Sequence, residues 1–204
     1  MADQYTLNVM NQSGQTGSFV LYQQMPDASV PGGLTMAWLV LPTQSQSSTV
    51  FTWAIDYSFV LSQSAAPAVG AAVTIHQQIP ANFNTSNEVD LEGTGSSLAL
   101  QKIRLSPTGS VFYIHQSPSL QPDTALVGLG LAGKPSFLWP VQPGAQLEIR
   151  PKSNTVYRIA FGPFKEGEVL DVNGAGHQSF AIDFHQTNHL KLVYGMGGSW
   201  DILP

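Results

Sequence analysis

The sequence predicts an all-β protein, an antiparallel β-sandwich forming a single globule over residues 1–204. Three observations carry that prediction. Apolar and polar residues alternate with a period of two from end to end, no segment sustains a helical period, and Gly, Pro, Asn and Ser clusters break the chain at the spacing of short strands. Nineteen Gly and fourteen Pro, spread throughout, fit many turns and few helices.

Taken in order, YTLNVMN (5–11) and SFVLYQQ (18–24) open the chain, and DASVPGG separates them from LTMAWLVL (34–41). PTQSQSS then leads into the clearest run, FTWAIDYSFVLS (51–62). In it Phe51, Trp53, Ile55, Tyr57, Phe59 and Leu61 fall on one face, and Thr52, Ala54, Asp56 and Ser58 on the other, the pattern of a half-buried strand. After QSAAPAVG come AAVTIHQ (71–77), EVDLE (88–92), LALQKIRL (98–105) and SVFYIHQ (110–116). SPSLQPD precedes ALVGLGL (125–131), QLEIR (146–150), TVYRIAF (155–161) and EVLDV (168–172). The last strands expected are SFAIDF (179–184), HLKLVYG (189–195) and SWDIL (199–203).

Two pairs of phrases recur in order. TGSFVLYQQMP (16–26) returns as TGSVFYIHQSP (108–118), and NFNTSNEVDL (82–91) returns as DFHQTNHLKL (183–192). An internal duplication, with halves 1–101 and 102–204 packing as two similar β-units, accounts for both pairs. The competing reading is that hairpins of one composition resemble each other.

Composition narrows the function. With no cysteine, thiol catalysis, disulfides and thiolate metal sites are excluded. The acid in MADQYTLNVMNQ and the lack of an apolar stretch behind it argue against a conventional signal peptide, so the expectation is a cytoplasmic product or one exported by another route. LTMAWLVL and ALVGLGLAG fall well short of the roughly 20 residues of a bilayer-spanning helix. Charged residues are only 10% of the chain, so self-association or a neutral polar ligand such as a glycan suits this surface better than a strongly charged partner.

That charge is unevenly spread. Residues 1–101 contain no Lys or Arg and six acids, a net of −6, while the second half sets eight bases against seven acids for +1. No ion pair between acid and Lys or Arg is available inside the first half. Nucleic-acid binding, which needs clustered Lys and Arg, is not expected. An acidic first half facing the bases of the second suits a head-to-tail contact between copies and an intramolecular contact equally well.

Candidate chemistry is sparse. Of His76, His115, His177, His185 and His189, the pair His185 and His189 would lie about 13 Å apart in a straight strand, so only a tight turn would bring them together, with His177 or Asp183 completing a site. Exposed polar residues on a hairpin are the plainer reading, and no metal or other cofactor is expected. Asp56 and Asp183, in AIDY and AIDF, would serve a carboxylate hydrolase only if they converged. There is no G-x-S-x-G elbow, and GTGSS, GLGLAG and GMGGS read as turns and sheet-packing glycines. Trp53 reads as core. Trp139 and Trp200, near turns, are the better candidates for exposed rings that hold a sugar, with core packing as the competing reading.

The phrases YTLNVMNQSGQTGSFVLYQ, MAWLV, FTWAIDYSFVLSQ, VYRIAFG and GEVLDV together are similar to the rhizosphere-expressed protein A (RhiA-like) family of root-associated bacteria, over Tyr5 to about Trp200. The resemblance implies quorum-sensing control and abundant expression near roots, and it supplies no catalytic residue. The sequence therefore predicts a non-catalytic protein acting through its surface, by self-assembly or by binding a host or microbial component. A carbohydrate-binding lectin is the first alternative, and a metal-dependent or carboxylate hydrolase the second.

Overall fold

Strands account for nearly every apolar run in the computed structural model, which describes residues 4–65, 67–152, 155–172, 179–184 and 187–203. The first ten are β1 (Gln4–Asn11), β2 (Gly17–Gln23), β3 (Asp27–Ala28), β4 (Leu34–Thr35), β5 (Leu39–Thr43), β6 (Ser47–Ala54), β7 (Tyr57–Ser62), β8 (Gln77–Ala81), β9 (Glu88–Glu92) and β10 (Ala99–Arg104). The other eight are β11 (Phe112–Gln116), β12 (Leu126–Leu131), β13 (Lys134–Pro140), β14 (Gln146–Arg150), β15 (Tyr157–Gly162), β16 (Ser179–Ile182), β17 (His189–Tyr194) and β18 (Trp200–Leu203).

They form four sheets: sheet 1, β18-β17-β1-β6; sheet 2, β16-β15-β2-β5; sheet 3, β10-β9-β11-β14-β3; and sheet 4, β4-β13-β12-β7-β8. Sheets 1 and 2 close on a core of Leu7, Val9, Phe19, Leu21, Phe51, Trp53, Tyr157, Ile159, Ile182 and Leu192. Sheets 3 and 4 close on a second core, which includes Phe59, Leu61, Val89, Leu91, Phe112, Ile114, Val127, Leu129, Trp139 and Ile149. The fold is thus all-β, as expected, with two sandwiches. Among the described residues, all pairings are antiparallel except β1 with β17 and β9 with β11.

Apart from the short edge strands β3 and β4, the two sandwiches match strand for strand. Sheet 3 repeats sheet 1 with β10, β9, β11 and β14 in the places of β18, β17, β1 and β6, and sheet 4 repeats sheet 2 with β8, β7, β12 and β13 in the places of β16, β15, β2 and β5. Registers match as well: Thr6 stands opposite His189 as Tyr113 stands opposite Glu88, and the N–H of Thr6 donates to Asn188 O, as that of Tyr113 does to Asn87 O, both at 2.8 Å. A ring triad of Tyr5, Tyr157 and Phe184 recurs as Phe112, Tyr57 and Phe83.

Each sandwich draws strands from both halves of the chain. β1, β2, β5 and β6 pack with β15 to β18, and β11 to β14 pack with β7 to β10. Of the repeated phrases, NFNTSNEVDL and DFHQTNHLKL lead into β9 and β17, which occupy matching places. TGSFVLYQQMP and TGSVFYIHQSP hold β2 and β11, which do not.

Four expected strands differ. FTWAIDYSFVLS is two strands in different sandwiches: Asp56 N donates to Ala54 O at 3.1 Å, a three-residue turn that swings the chain across without breaking the alternation. LTMAWLVL divides into β4 and β5, because β3 and β4 strap the edges of sheets 3 and 4 before the chain returns to sheet 2. AAVTIHQ and EVLDV form a narrow ribbon with residues 35–37, held by Ala37 N to Glu168 O, Leu170 N to Thr35 O and Val169 N to Ala71 O bonds. Its alternation serves two sheets: Ala37 and Leu170 pack on the outer face of sheet 2, and Met36 and Val169 on that of sheet 4. In GLGLAG, a Cβ on Gly128 would lie 2.1 Å from Phe137 O, so only glycine lets β12 and β13 approach.

Two predictions follow from this packing. Residues 1–106 and 107–204, expressed separately, each lack the partner strands of both sandwiches, so each alone lacks a cooperative unfolding transition and their mixture regains it, read by circular dichroism and sedimentation. Burial raises the phenols of Tyr22, Tyr57 and Tyr157 above the ordinary tyrosine range. Unfolded tyrosines ionise near pH 10, so this contribution to stability is whole below about pH 10 and is lost as pH rises toward the raised values. Denaturant titrations above pH 10 should show stability falling by up to about 1.4 kcal/mol per pH unit for each tyrosine, and Tyr57→Phe should remove one such increment.

Candidate functional site

Because the cores claim the inner faces and the ribbon covers the outer faces of sheets 2 and 4, the outer faces of sheets 1 and 3 are, among the described residues, the broad surfaces left to solvent. They share one geometry and differ in chemistry. On sheet 3, one row runs Glu148, Tyr113, Glu88, Arg104, and the next runs Gln146, His115, Asp90, Gln101. Arg104 meets Glu88 at 2.6 Å and Asp90 at 2.7 Å, Lys102 meets Glu92 at 2.5 Å, and His115 Nε2 donates to Glu88 Oε1 at 2.8 Å. Arg150 pairs with Glu148 on the same face. The hydrogen bond to Asp90 leads the causes that raise Arg104, and the one to Glu92 leads those that raise Lys102, so both bases are held in their charged forms.

Four of the six acids in residues 1–101 therefore take partners from residues 102–204 within one chain: Glu88, Asp90 and Glu92 from Lys102 and Arg104 on the adjoining β10, and Asp27 from Lys152. Exposed pairs of this kind add little stability one by one, but together they offset most of the charge on the face. No residue of this network except His115 stood out as a candidate in the sequence. The signal was present in EVDLE, where every outward position is acidic.

On sheet 1 the matching rows are Thr52, Thr6, His189, then Val50, Asn8, Lys191, Leu203, then Ser48, Met10, Val193, Asp201. Val50 is 50% exposed, Leu203 39% and Met10 37%. Lys191 and Asp201 are the only Lys, Arg, Asp or Glu residues in these rows. The edges differ too: β3 covers the β14 edge of sheet 3, whereas β6, eight residues with no charge and no Pro, ends sheet 1.

The residues singled out from the sequence are scattered. Trp139 is buried in the second core at 1% exposure, because β13 turns it inward beside Phe137; it cannot stack on a ligand, which corrects that expectation. Trp38 and Trp53 are core as well, their indoles donating to Leu131 O and the Tyr157 hydroxyl. Trp200 is half-buried, its ring against Phe19, Phe180 and Tyr194, with Phe161 closing the cluster at one end of the first sandwich. His189 is exposed at the start of β17, and Asp183 follows β16. His177 and His185 lie outside the described residues. Asp56 sits at the turn between β6 and β7, and His76 Nδ1 accepts from Gln63 N. Among the described residues, no group of three or more His, Asp or Glu side chains is placed to hold a metal ion, and no helix is long and apolar enough to cross a membrane.

Comparison with known proteins agrees with the resemblance in the sequence. The RhiA family profile matches residues 2–203. Protein RhiA of Rhizobium leguminosarum bv. viciae is 28% identical over 207 residues, covering 98% of this chain and 87% of that protein. No solved structure matches. With a match that runs almost from end to end, the chain belongs to the RhiA family.

Proposed function

We propose that this protein is non-catalytic and acts through its surface, by associating with a second copy through the outer face of sheet 1. The observation that carries this reading is the contrast between two faces of the same geometry. The face of sheet 3 carries an ion-pair network, while that of sheet 1 is nearly uncharged, exposes Val50, Met10 and Leu203, and ends in a strand edge suited to pairing. An apolar sheet face meeting the same face of a second copy makes a two-fold contact. The matching strand order of the sandwiches supports an internal duplication, with the break after β10 and before β11, a few residues beyond the 101/102 boundary expected from the sequence. Membership in the RhiA family supports, as expectations, control by quorum sensing and expression near roots.

Since the acids and bases are largely satisfied within one chain, association rests on apolar contact and persists in high salt. Sedimentation velocity across a concentration series, at low and high salt, should show a concentration-dependent dimer or larger species in both. Val50→Lys combined with Met10→Lys should leave a folded monomer. A strict monomer at every concentration contradicts the proposal.

A further inference from the structure

The correspondence between the sandwiches exposes one place where they differ in shape as well as in charge. At one end of the first sandwich, Tyr194 and Trp200 are cross-strand neighbours whose rings, 4.6 Å apart, fill the mouth between sheets 1 and 2. The loop between them carries a single 3-10 turn, Met196–Gly198, and the matching loop of the second sandwich carries the turn Gly95–Ser97. Counting back along the matched registers, the places of Tyr194 and Trp200 are taken by Gly93 and Leu98. Phe161 and Phe180 become Leu61 and Ile79. A Cβ on Gly93, whose φ is +104°, would lie 2.3 Å from Ser97 O, so the turn itself keeps this position free of a side chain.

Where the first sandwich packs rings, the second has a cleft of about 340 Å³. Its volume falls within the ~300–1,000 Å³ typical of small-molecule sites. Buried Leu98, Leu120 and Val141 form an apolar floor, and Gln63, Thr94, Gln121 and Thr124 supply amide and hydroxyl groups around it. None of the lining residues is ionisable. Close by, at the end of β11 that leads into the loop carrying Leu120, Gln121 and Thr124, the buried amide of Gln116 accepts from Gln142 N while its Nε2 has no hydrogen-bond partner.

We infer that this cleft is a binding site for a small, uncharged, polyhydroxylated molecule with one apolar face, the chemistry of a neutral pyranose. The aliphatic floor takes the C–H face, and the neutral donors and acceptors of the rim take the hydroxyls without having to desolvate a charge. The site is separate from the sheet 1 face and does not depend on self-association.

The test is amide chemical-shift mapping on the full chain with the methyl glycosides of glucose, galactose, mannose and N-acetylglucosamine, with glucuronate as the charged control. A neutral glycoside should shift the amides of Gln63, Thr94, Leu98, Gln121 and Thr124, and glucuronate should bind at least about fivefold more weakly, since nothing in the lining compensates its charge. Leu98→Trp, which copies the first sandwich, and Gln121→Trp, on the exposed rim where folding is not at risk, should each weaken binding about tenfold or more while leaving amides of the distant strands unmoved. The inference is overturned if no neutral glycoside shifts the cleft, if the shifts gather instead around Trp200, if glucuronate binds as well as the neutral sugars, or if the folded Gln121→Trp protein binds normally.

Discussion

Of the strand pairings that join the halves of the chain, the four long ones, β1 with β17, β2 with β15, β9 with β11 and β7 with β12, are those the rest of the structure depends on; β3 with β14 and β4 with β13 add two short ones. Each of the four lies at the centre of its sheet, and each joins a strand of the first half to one of the second. Neither half can close a core alone, because its strands supply only part of each of the four sheets. The pairings also decide what remains exposed. Once the inner faces have met, and the ribbon built from 35–37, 70–73 and 167–170 has filled the outer faces of sheets 2 and 4, the surfaces left are the outer faces of sheets 1 and 3 and the ends of the sandwiches.

Matched places with different residues then explain the differences in chemistry. Thr6, Asn8, Thr52 and Val50 on sheet 1 correspond to Tyr113, His115, Glu148 and Gln146 on sheet 3. His189 and Lys191 correspond to Glu88 and Asp90. The backbone is common, so charge neutralisation on one face and apolar exposure on the other follow from side chains alone. The same logic separates the ring-filled mouth at Tyr194 and Trp200 from the open cleft at Gly93 and Leu98.

Much of this was legible in the sequence because period two is a local signal. The strands at 5–11, 18–23 and 189–194 are where the alternation puts them, and the absence of Lys and Arg before residue 102 announced that the early acids would need late partners. Which sheet a strand joins is a long-range property. Alternation runs straight through Ile55 and Asp56, so nothing local marks the turn that carries the chain from one sandwich to the other. The same limit misled the reading of Trp139: a Trp beside a Pro resembles a turn residue, yet β13 is paired on both sides and aims it at the core. TGSFVLYQQMP and TGSVFYIHQSP resemble each other as strands of similar composition and occupy unmatched places, whereas the less similar pair of phrases leads into β9 and β17, which occupy matched ones. Similarity of wording was a weaker guide than order and register.

The claim that matched faces have different roles is tested most directly with the chain's freedom from cysteine. A single spin label at Val50→Cys and another at the matched place on sheet 3, Gln146→Cys, report intermolecular distances on the same backbone geometry. A short intermolecular distance for the label at 50 and none for the label at 146 is the result expected. Short distances at both positions, at neither, or only at 146 would contradict the account.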